Sequence, residues 1–261
     1  MTGAVRAEWT KARSLPSTGW LVCVVALGMV ALGLAVTGTL RVDECGDDPC
    51  VLDTVRLSLA GVQVAQVGAA VLGVLLVTGE YATGTIRPSL VAVPRREQVL
   101  AAKVVVVGAL TTAGATVGVV GALLVARSVL PSRGFTAEAG YPQSTLLHDL
   151  TQRAAVGTVL YLVLVALLGA GIGLLVRDTG VAVTMMMAVL FLGPVLALFV
   201  SDPDWQGWLH RYAPTDAGLA VQATRDLASL RIAPWPGLAL VGGYAAAVVL
   251  AGGVALRRRD A

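Results

Sequence analysis

Charged residues are scarce in this sequence, at 13% of 261 residues, whereas an average soluble chain has about 25%. Aromatic residues are also few, at 5%, so the 56% of hydrophobic residues are mostly valine, leucine and alanine. This much apolar and this little charged sequence does not suit a large soluble core. The composition is instead typical of an integral membrane protein.

The sequence also lacks the motifs of several kinds of chemistry. No Gly-x4-Gly-Lys-Ser/Thr motif is present, which excludes ATP binding through a phosphate loop. No His-Glu-x2-His motif is present, and the two histidines, His148 and His210, lie outside the apolar runs. We therefore expect no catalytic residue, metal site or cofactor in this chain, and no nucleic-acid partner.

Ionisable residues are missing from the middle of the long apolar runs. A proton- or ion-coupled carrier normally keeps such residues there, so this class is not favoured. A membrane enzyme that uses serine or acts on lipids is not excluded, although no pairing of serine with histidine is visible.

Six apolar runs are long enough to cross a bilayer, which takes about 20 residues of helix. The predicted spans are about residues 20–40, 59–78, 101–126, 154–176, 181–200 and 237–256. Little sequence remains for a soluble domain. We therefore predict an all-α integral membrane protein with six transmembrane helices in a single domain, residues 1–261.

The distribution of charge predicts the orientation. With six spans, both termini lie on one side of the membrane. The segments on that side, which include the loop 79–100 and the final arginines, carry net positive charge, and those on the other side carry net negative charge. Because basic residues stay in the cytoplasm, we expect a multi-pass protein of the cell membrane with both termini cytoplasmic.

Two segments outside the spans carry features of the membrane surface. Residues 1–19 alternate apolar and basic side chains, which predicts a cytoplasmic amphipathic segment; a frayed tail is the alternative. The external loop 201–236 is rich in tryptophan and tyrosine, which is typical of a membrane interface. We expect a helix there over about 217–230, capped by Thr215 and Asp216. A gate on the exit side and a plain anchor remain open as roles for this loop.

Two cysteines, Cys45 and Cys50, fall in the first external loop. A disulfide is permitted outside the membrane, and the turn between them is short enough to bring them together. A disulfide and two free thiols both remain open. A metal pair is not favoured, because the loop offers only carboxylates as further ligands.

A few residues within the spans have side chains suited to lining a pathway: Gln63, Gln66, Thr112 and Met186. The two glutamines lie on one helical face, where an interhelical hydrogen bond is the favoured alternative. For the methionine, packing is the favoured alternative. In the fourth span, Gly169, Gly171 and Gly173 have the wrong spacing for a dinucleotide fingerprint, so we expect tight helix packing or bending there.

The loop 79–100 is polar and basic and joins the second and third spans. Arg87, Arg95 and Arg96 would each cost about 2.5–3.5 kcal/mol at the bilayer centre, so the loop stays in water. Gly84 and Thr85 predict a turn and a helix N-cap.

A short surface helix over 86–92 should follow that turn. We expect Pro94 to begin a second helix, which leads into the third span.

This loop resembles the cytoplasmic loop of ABC type-2 transporter permeases, in which Glu-x3-Gly-Thr is followed by Leu, by Pro-x-Arg and by a lysine at the start of the third span. The matching residues are Glu80, Gly84, Thr85, Arg87, Leu90, Pro94, Arg96 and Lys103. The basic, tryptophan-bearing N-terminus is similar to that of actinobacterial-type members. With the six spans, the resemblance covers the whole chain.

The resemblance implies an ABC type-2 exporter-like bundle with a cytoplasmic coupling helix and interfacial external helices. The chain would be the permease subunit, which forms the substrate pathway, and the loop would dock on a separate ABC ATPase subunit that holds ATP and magnesium. Glu80 and Arg87 would orient the coupling helix, and Arg95 and Arg96 would pair with acidic residues of the ATPase.

A second permease subunit, identical or different, and membrane lipid are the other implied partners. The alternative is a self-sufficient membrane channel or lipid-handling membrane enzyme.

Overall fold

The computed structural model describes residues 2–39, 52–85, 96–136 and 149–258. Within these ranges the chain is helical and contains no β-strand. The α-helices are α1 (Thr2–Ser14), α2 (Pro16–Thr39), α3 (Thr54–Ser58), α4 (Val62–Ala82), α5 (Arg96–Val129), α6 (Asp149–Val176), α7 (Thr179–Phe199), α8 (Pro203–Tyr212), α9 (Pro214–Leu219) and α10 (Pro234–Arg258). Short 3-10 turns lie at Pro131–Arg133, Ala220–Gln222 and Leu227–Ser229.

Six of these helices are long and apolar enough to cross a membrane: α2, α4, α5, α6, α7 and α10. Each of the six predicted apolar runs falls on one of them, which confirms the predicted number of candidate spans. The helices are not identical to the apolar runs. For example, α5 has 34 residues and extends beyond its run at both ends, into Arg96 and Arg127.

The centre of the bundle is formed by α4 and α6. In each of them 61% of the most apolar stretch is buried within the chain, whereas the value is 22% for α7 and α10 and 28% for α2. The central α6 contacts α4, α5, α7 and α10. The three outer helices α2, α7 and α10 leave much of their apolar surface uncovered by this chain.

Glycines allow α4 and α6 to approach closely. A Cβ atom built on Gly73 would lie 1.9 Å from the carbonyl oxygen of Ala166, and one built on Gly169 would lie 2.6 Å from that of Ala70. Neither site has room for a side chain, so the two backbones meet directly. On another face of α6, Gly171 packs against Val248 and Val249 of α10. The packing interpretation of the glycines in the fourth span is therefore confirmed.

The bundle has two ends with different construction. At what we call the terminal end, α1 meets the end of α4 and the start of α5, and the start of α5 contacts the end of α10. There Arg96 Nη1 donates to the carbonyl oxygen of Leu256 at 2.5 Å, and Arg257 pairs with Glu97 at 2.7 Å. The opposite end is formed by α3, α8 and α9.

The prediction of one helix over 217–230 is wrong. The segment that follows α7 contains two helices, and the second, α9, begins at Pro214 and already ends at Leu219. A 3-10 turn at Ala220–Gln222 follows α9, and beyond this turn the N–H groups of Thr224 and Arg225 donate to the carboxylate of Asp53 instead of to carbonyls of a continuing helix. The first helix, α8, begins at Pro203 and is capped by the side chain of the preceding residue, Asp202.

Candidate functional site

Four charged side chains meet at the terminal end, and we call them the charge cluster: Glu8, Lys11, Glu80 and Lys103. The ammonium of Lys103 lies 2.8 Å from Glu8 Oε2 and 2.8 Å from Glu80 Oε1. The ammonium of Lys11 lies 2.6 Å from Glu8 Oε1 and 2.8 Å from Glu80 Oε1. Each lysine therefore bridges both glutamates, and the cluster joins α1, α4 and α5.

The local sequence explains how each member reaches the cluster. Glu8 and Lys11 are three positions apart in α1, so their side chains share one face of that helix. Glu80 lies in the last turn of α4, and Lys103 lies on the buried face of α5. Three helix segments thus present charged side chains to one point.

Most of the cluster is removed from water. Lys103 is 4% exposed, and Glu8 and Glu80 are each 8% exposed. Burial by itself would raise the pKa of Glu8, but the ammonium groups of Lys103 and Lys11 outweigh this effect and lower that pKa. Burial would likewise lower the pKa of Lys11, but hydrogen bonds to Glu8 and Glu80 raise it. Both shifts favour the charged forms, so Glu8 is a carboxylate and Lys11 an ammonium group.

A cavity of about 410 Å³ adjoins the charge cluster between α1, α4 and α5. Its walls are formed by apolar side chains, among them Leu76 and Val106, and the cluster lies at its polar side. Thr83 and Thr85, at the end of the α4 region, also border it.

The charge cluster includes one residue from each side of the predicted coupling segment, the part of the loop expected to dock on an ATPase. Glu80 precedes the segment 86–95 and Lys103 follows it, so their ion pair at 2.8 Å holds the two flanks together. Gly84 adopts the left-handed conformation, with φ of 69°, just after α4 ends. The predicted turn at Gly84 and Thr85 is thus present.

Part of the predicted coupling site lies outside the described residues: the helix over 86–92 and the residues Arg87, Leu90, Pro94 and Arg95. Arg96 is described, and it donates to the carbonyl oxygens of Leu256 and Arg257 at the end of α10. Basic side chains in this position stabilise the free carbonyls of a helix end. The structure thus gives Arg96 a role within the chain, beside the predicted pairing with an ATPase.

The predicted pathway residues do not form one group. Gln66 is fully buried, donates to Gln63 at 2.8 Å and accepts from the Tyr161 hydroxyl of α6 at 2.5 Å, which is an interhelical hydrogen bond. Met186 is fully buried on α7, whereas Thr112 is exposed on α5. Pathway lining by these residues stays a prediction.

Gln63 also borders a second cavity, of about 520 Å³, at the opposite end.

Among the cysteines, Cys23 is free and exposed on α2. Cys45 and Cys50 lie outside the described residues, so their pairing stays open. Within the described ranges, no group of three or more histidine, cysteine, aspartate or glutamate side chains is placed to hold a metal ion.

The sequence analysis missed two members of the charge cluster, Glu8 and Lys11. It interpreted the N-terminal segment as a basic surface helix and gave Glu8 no role. A signal was present, since Glu8 is the lone acid in this segment and stands one helical turn from a lysine. An acid on the same side of the membrane as Lys103 is a natural partner for that buried ammonium.

No protein-family model matches the chain, and a search of curated proteins finds no match either. The loop motif and the charge cluster are therefore the observations on which a function can be proposed.

Proposed function

We propose that the chain is the permease subunit of an ABC-type exporter in the cell membrane, with its terminal end in the cytoplasm and the segment 86–95 as the docking site of a separate ATPase subunit. The charge cluster carries this proposal. It links the two flanks of that segment to each other and to α1. Such a link is required if a movement of the segment is to be transmitted to the membrane spans.

The ion pairs give the link its stiffness. Separating one partner from a buried ion pair costs about 3–5 kcal/mol, because the remaining charge is left without compensation. A displacement of the segment therefore moves the end of α4 and the start of α5 together, rather than one of them alone. The same pairs carry α1 along.

The packing of α4 extends this link to the centre of the bundle. Because Gly73 and Gly169 leave no space between α4 and α6, movement of α4 must be followed by α6 or must break their contact. ATP-driven closure of the ATPase subunits would use this path to change the arrangement of the spans. ATP and magnesium belong to the ATPase, since this chain has no phosphate-loop motif.

A second permease subunit completes the proposal. The helices α2, α7 and α10 each keep most of their apolar stretch outside the core of this chain, and another subunit or lipid would cover it. A homodimer and a heterodimer are both compatible with these faces.

The test is a pull-down of the tagged chain from its native membranes in mild detergent, followed by mass spectrometry. We expect a phosphate-loop ATPase in stoichiometric amount. Charge reversal by Arg87→Glu with Arg95→Glu should abolish its capture. These two arginines are preferred to Arg96, whose reversal would also disturb the end of α10. The matched control is Arg127→Glu, at the far end of α5, which should leave capture intact.

A chain that is recovered alone, even after mild crosslinking, would contradict the exporter proposal. The self-sufficient channel or lipid-handling enzyme would then be the better hypothesis. That hypothesis predicts flux or lipid turnover by the purified chain in liposomes without any ATPase.

A further inference from the structure

The cavity beside the charge cluster has the make-up of a binding site for a small amphiphile. Its volume of about 410 Å³ lies towards the lower end of the range of about 300–1,000 Å³ that is typical of small-molecule sites. Leu75, Leu76, Val106 and Val107 provide apolar wall, and Glu80 lies at the polar side. One polar group and one apolar chain would match these walls.

Glu80 offers an unused hydrogen-bond acceptor at this site. Its Oε1 atom lies 2.8 Å from both lysine ammonium groups, but its Oε2 atom is buried and has no hydrogen-bond partner in the described part of the chain. Buried carboxylate oxygens are nearly always hydrogen-bonded, since an unpaired one loses its hydration without replacement. A donor supplied by a ligand would satisfy this atom.

The charge balance of the cluster selects the kind of donor. Its two carboxylates and two ammonium groups carry no net charge among them. An ammonium head would add an uncompensated buried charge, and a carboxylate or phosphate head would be repelled by Glu80. A hydroxyl or amide donates a hydrogen bond without changing the balance.

We propose that this cavity binds a neutral, single-chain amphiphile whose hydroxyl or amide head donates a hydrogen bond to Glu80 and whose apolar chain lies along Leu75, Leu76 and Val106. The proposal does not depend on the exporter function. A membrane lipid and an amphiphile from solution would offer the same chemistry.

The test uses the full chain in phosphatidylcholine nanodiscs and a monoacylglycerol that carries a photoreactive diazirine in its acyl chain. Matched probes with the same chain and an amine or carboxylate head provide the comparison. We expect the monoacylglycerol to label peptides within 62–85 and 96–107, about two- to tenfold more than either charged probe, the effect of one hydrogen bond. Excess unlabelled monoacylglycerol should compete with it.

A substitution that fills the cavity gives the second measurement. Gly79 borders the cavity, and a Cβ built on it meets no atom within 4 Å, so the side chain of Gly79→Phe would enter open space. Labelling of these peptides should fall to background in this variant. The matched control is Gly243→Phe on α10, where a Cβ also meets no atom within 4 Å and labelling should be unchanged. If Gly79→Phe does not yield folded protein, Gly79→Leu replaces it.

Equal labelling by the three probes, or full labelling of the filled variant, would overturn the proposal. The source of the amphiphile is tested by comparing a long-chain probe incorporated in the nanodisc with a short-chain probe added from solution. Labelling by the first alone supports a membrane lipid as ligand, and labelling by the second supports a soluble amphiphile. Labelling by neither would also overturn the proposal.

Discussion

The two ends of the bundle join distant parts of the chain by different chemistry. At the terminal end, the charge cluster links three helices through ion pairs in which Glu8, Glu80 and Lys103 are almost fully buried, whereas the side chain of Lys11 is 38% exposed. At the opposite end, the contact depends on one partly exposed carboxylate, that of Asp53. It accepts hydrogen bonds from the Thr224 hydroxyl, at 2.7 Å, and from the backbone N–H groups of Thr224 and Arg225. Its hydrogen-bond partners are backbone N–H and hydroxyl donors.

This difference in burial determines how much stability each end loses when a substitution removes one partner of a contact. A group that loses its partner at the opposite end can bond to water, so the loss is partly recovered. Among the buried members of the charge cluster, Glu8, Glu80 and Lys103, water cannot replace a lost partner, and the remaining charge stays buried. We therefore expect the terminal end to behave as one stiff unit and the opposite end to tolerate change.

The largest effect is expected for Lys103→Met, because it leaves two buried carboxylates with only Lys11 as partner. We expect the free energy of unfolding to fall by about 3–5 kcal/mol, the typical cost of breaking a buried ion pair from one side. Unfolding titrations in mixed micelles measure this. The matched control is Arg127→Met, which removes the same charge from an exposed position on the same helix and should change stability by less than about 0.5 kcal/mol.

Similar losses in these two variants would mean that water reaches the cluster. The contrast between the two ends of the bundle would then disappear, and with it the stiffness on which the coupling proposal depends.

A smaller effect is expected for Asp53→Asn. The amide keeps one acceptor oxygen but loses the charge and the second oxygen. Each oxygen of Asp53 accepts two hydrogen bonds, so two of the bonds from Arg56, Thr224 and Arg225 are lost at a site that water can reach. We expect stability to fall by about 1–2 kcal/mol in the same titration. The exposed Asp204, at the same end, gives the control Asp204→Asn, which should be near neutral. A loss as large as that of Lys103→Met would show that this end is not the tolerant one.

Features that depend on a short stretch of sequence were predictable. The number of candidate spans follows from apolar runs of about 20 residues, a length set by the bilayer itself. The packing of Gly169 and Gly171 follows from the small size of their side chains, which other helices can approach from any direction. The turn at Gly84 needs only a residue that tolerates positive φ.

Features that depend on distant partners were not predictable. Glu8 and Lys103 are 95 positions apart in the sequence, and the sequence around either residue does not predict its contact with the other. The prediction of a helix up to residue 230 fails for the same reason, because the chain beyond Gln222 is bound by Asp53, which stands 171 positions before Thr224. Propensity and capping rules describe a segment by itself, so a helix ended by a distant carboxylate lies beyond them.

The smallest effect is expected at the buried contact between Tyr161 and Gln66, which is a neutral hydrogen bond and not an ion pair. Tyr161→Phe removes the buried hydroxyl, but Gln66 keeps its bond to Gln63, so no charge is stranded. Interhelical hydrogen bonds in membrane proteins contribute about 0.6 kcal/mol on average, and we expect a loss of this size. The control Tyr244→Phe removes an exposed hydroxyl, which donates to the Tyr212 carbonyl at 3.2 Å, and should leave stability unchanged.

A loss above about 2 kcal/mol for Tyr161→Phe would exceed the range known for such bonds. Burial alone, rather than charge, would then explain why the terminal end is stiff.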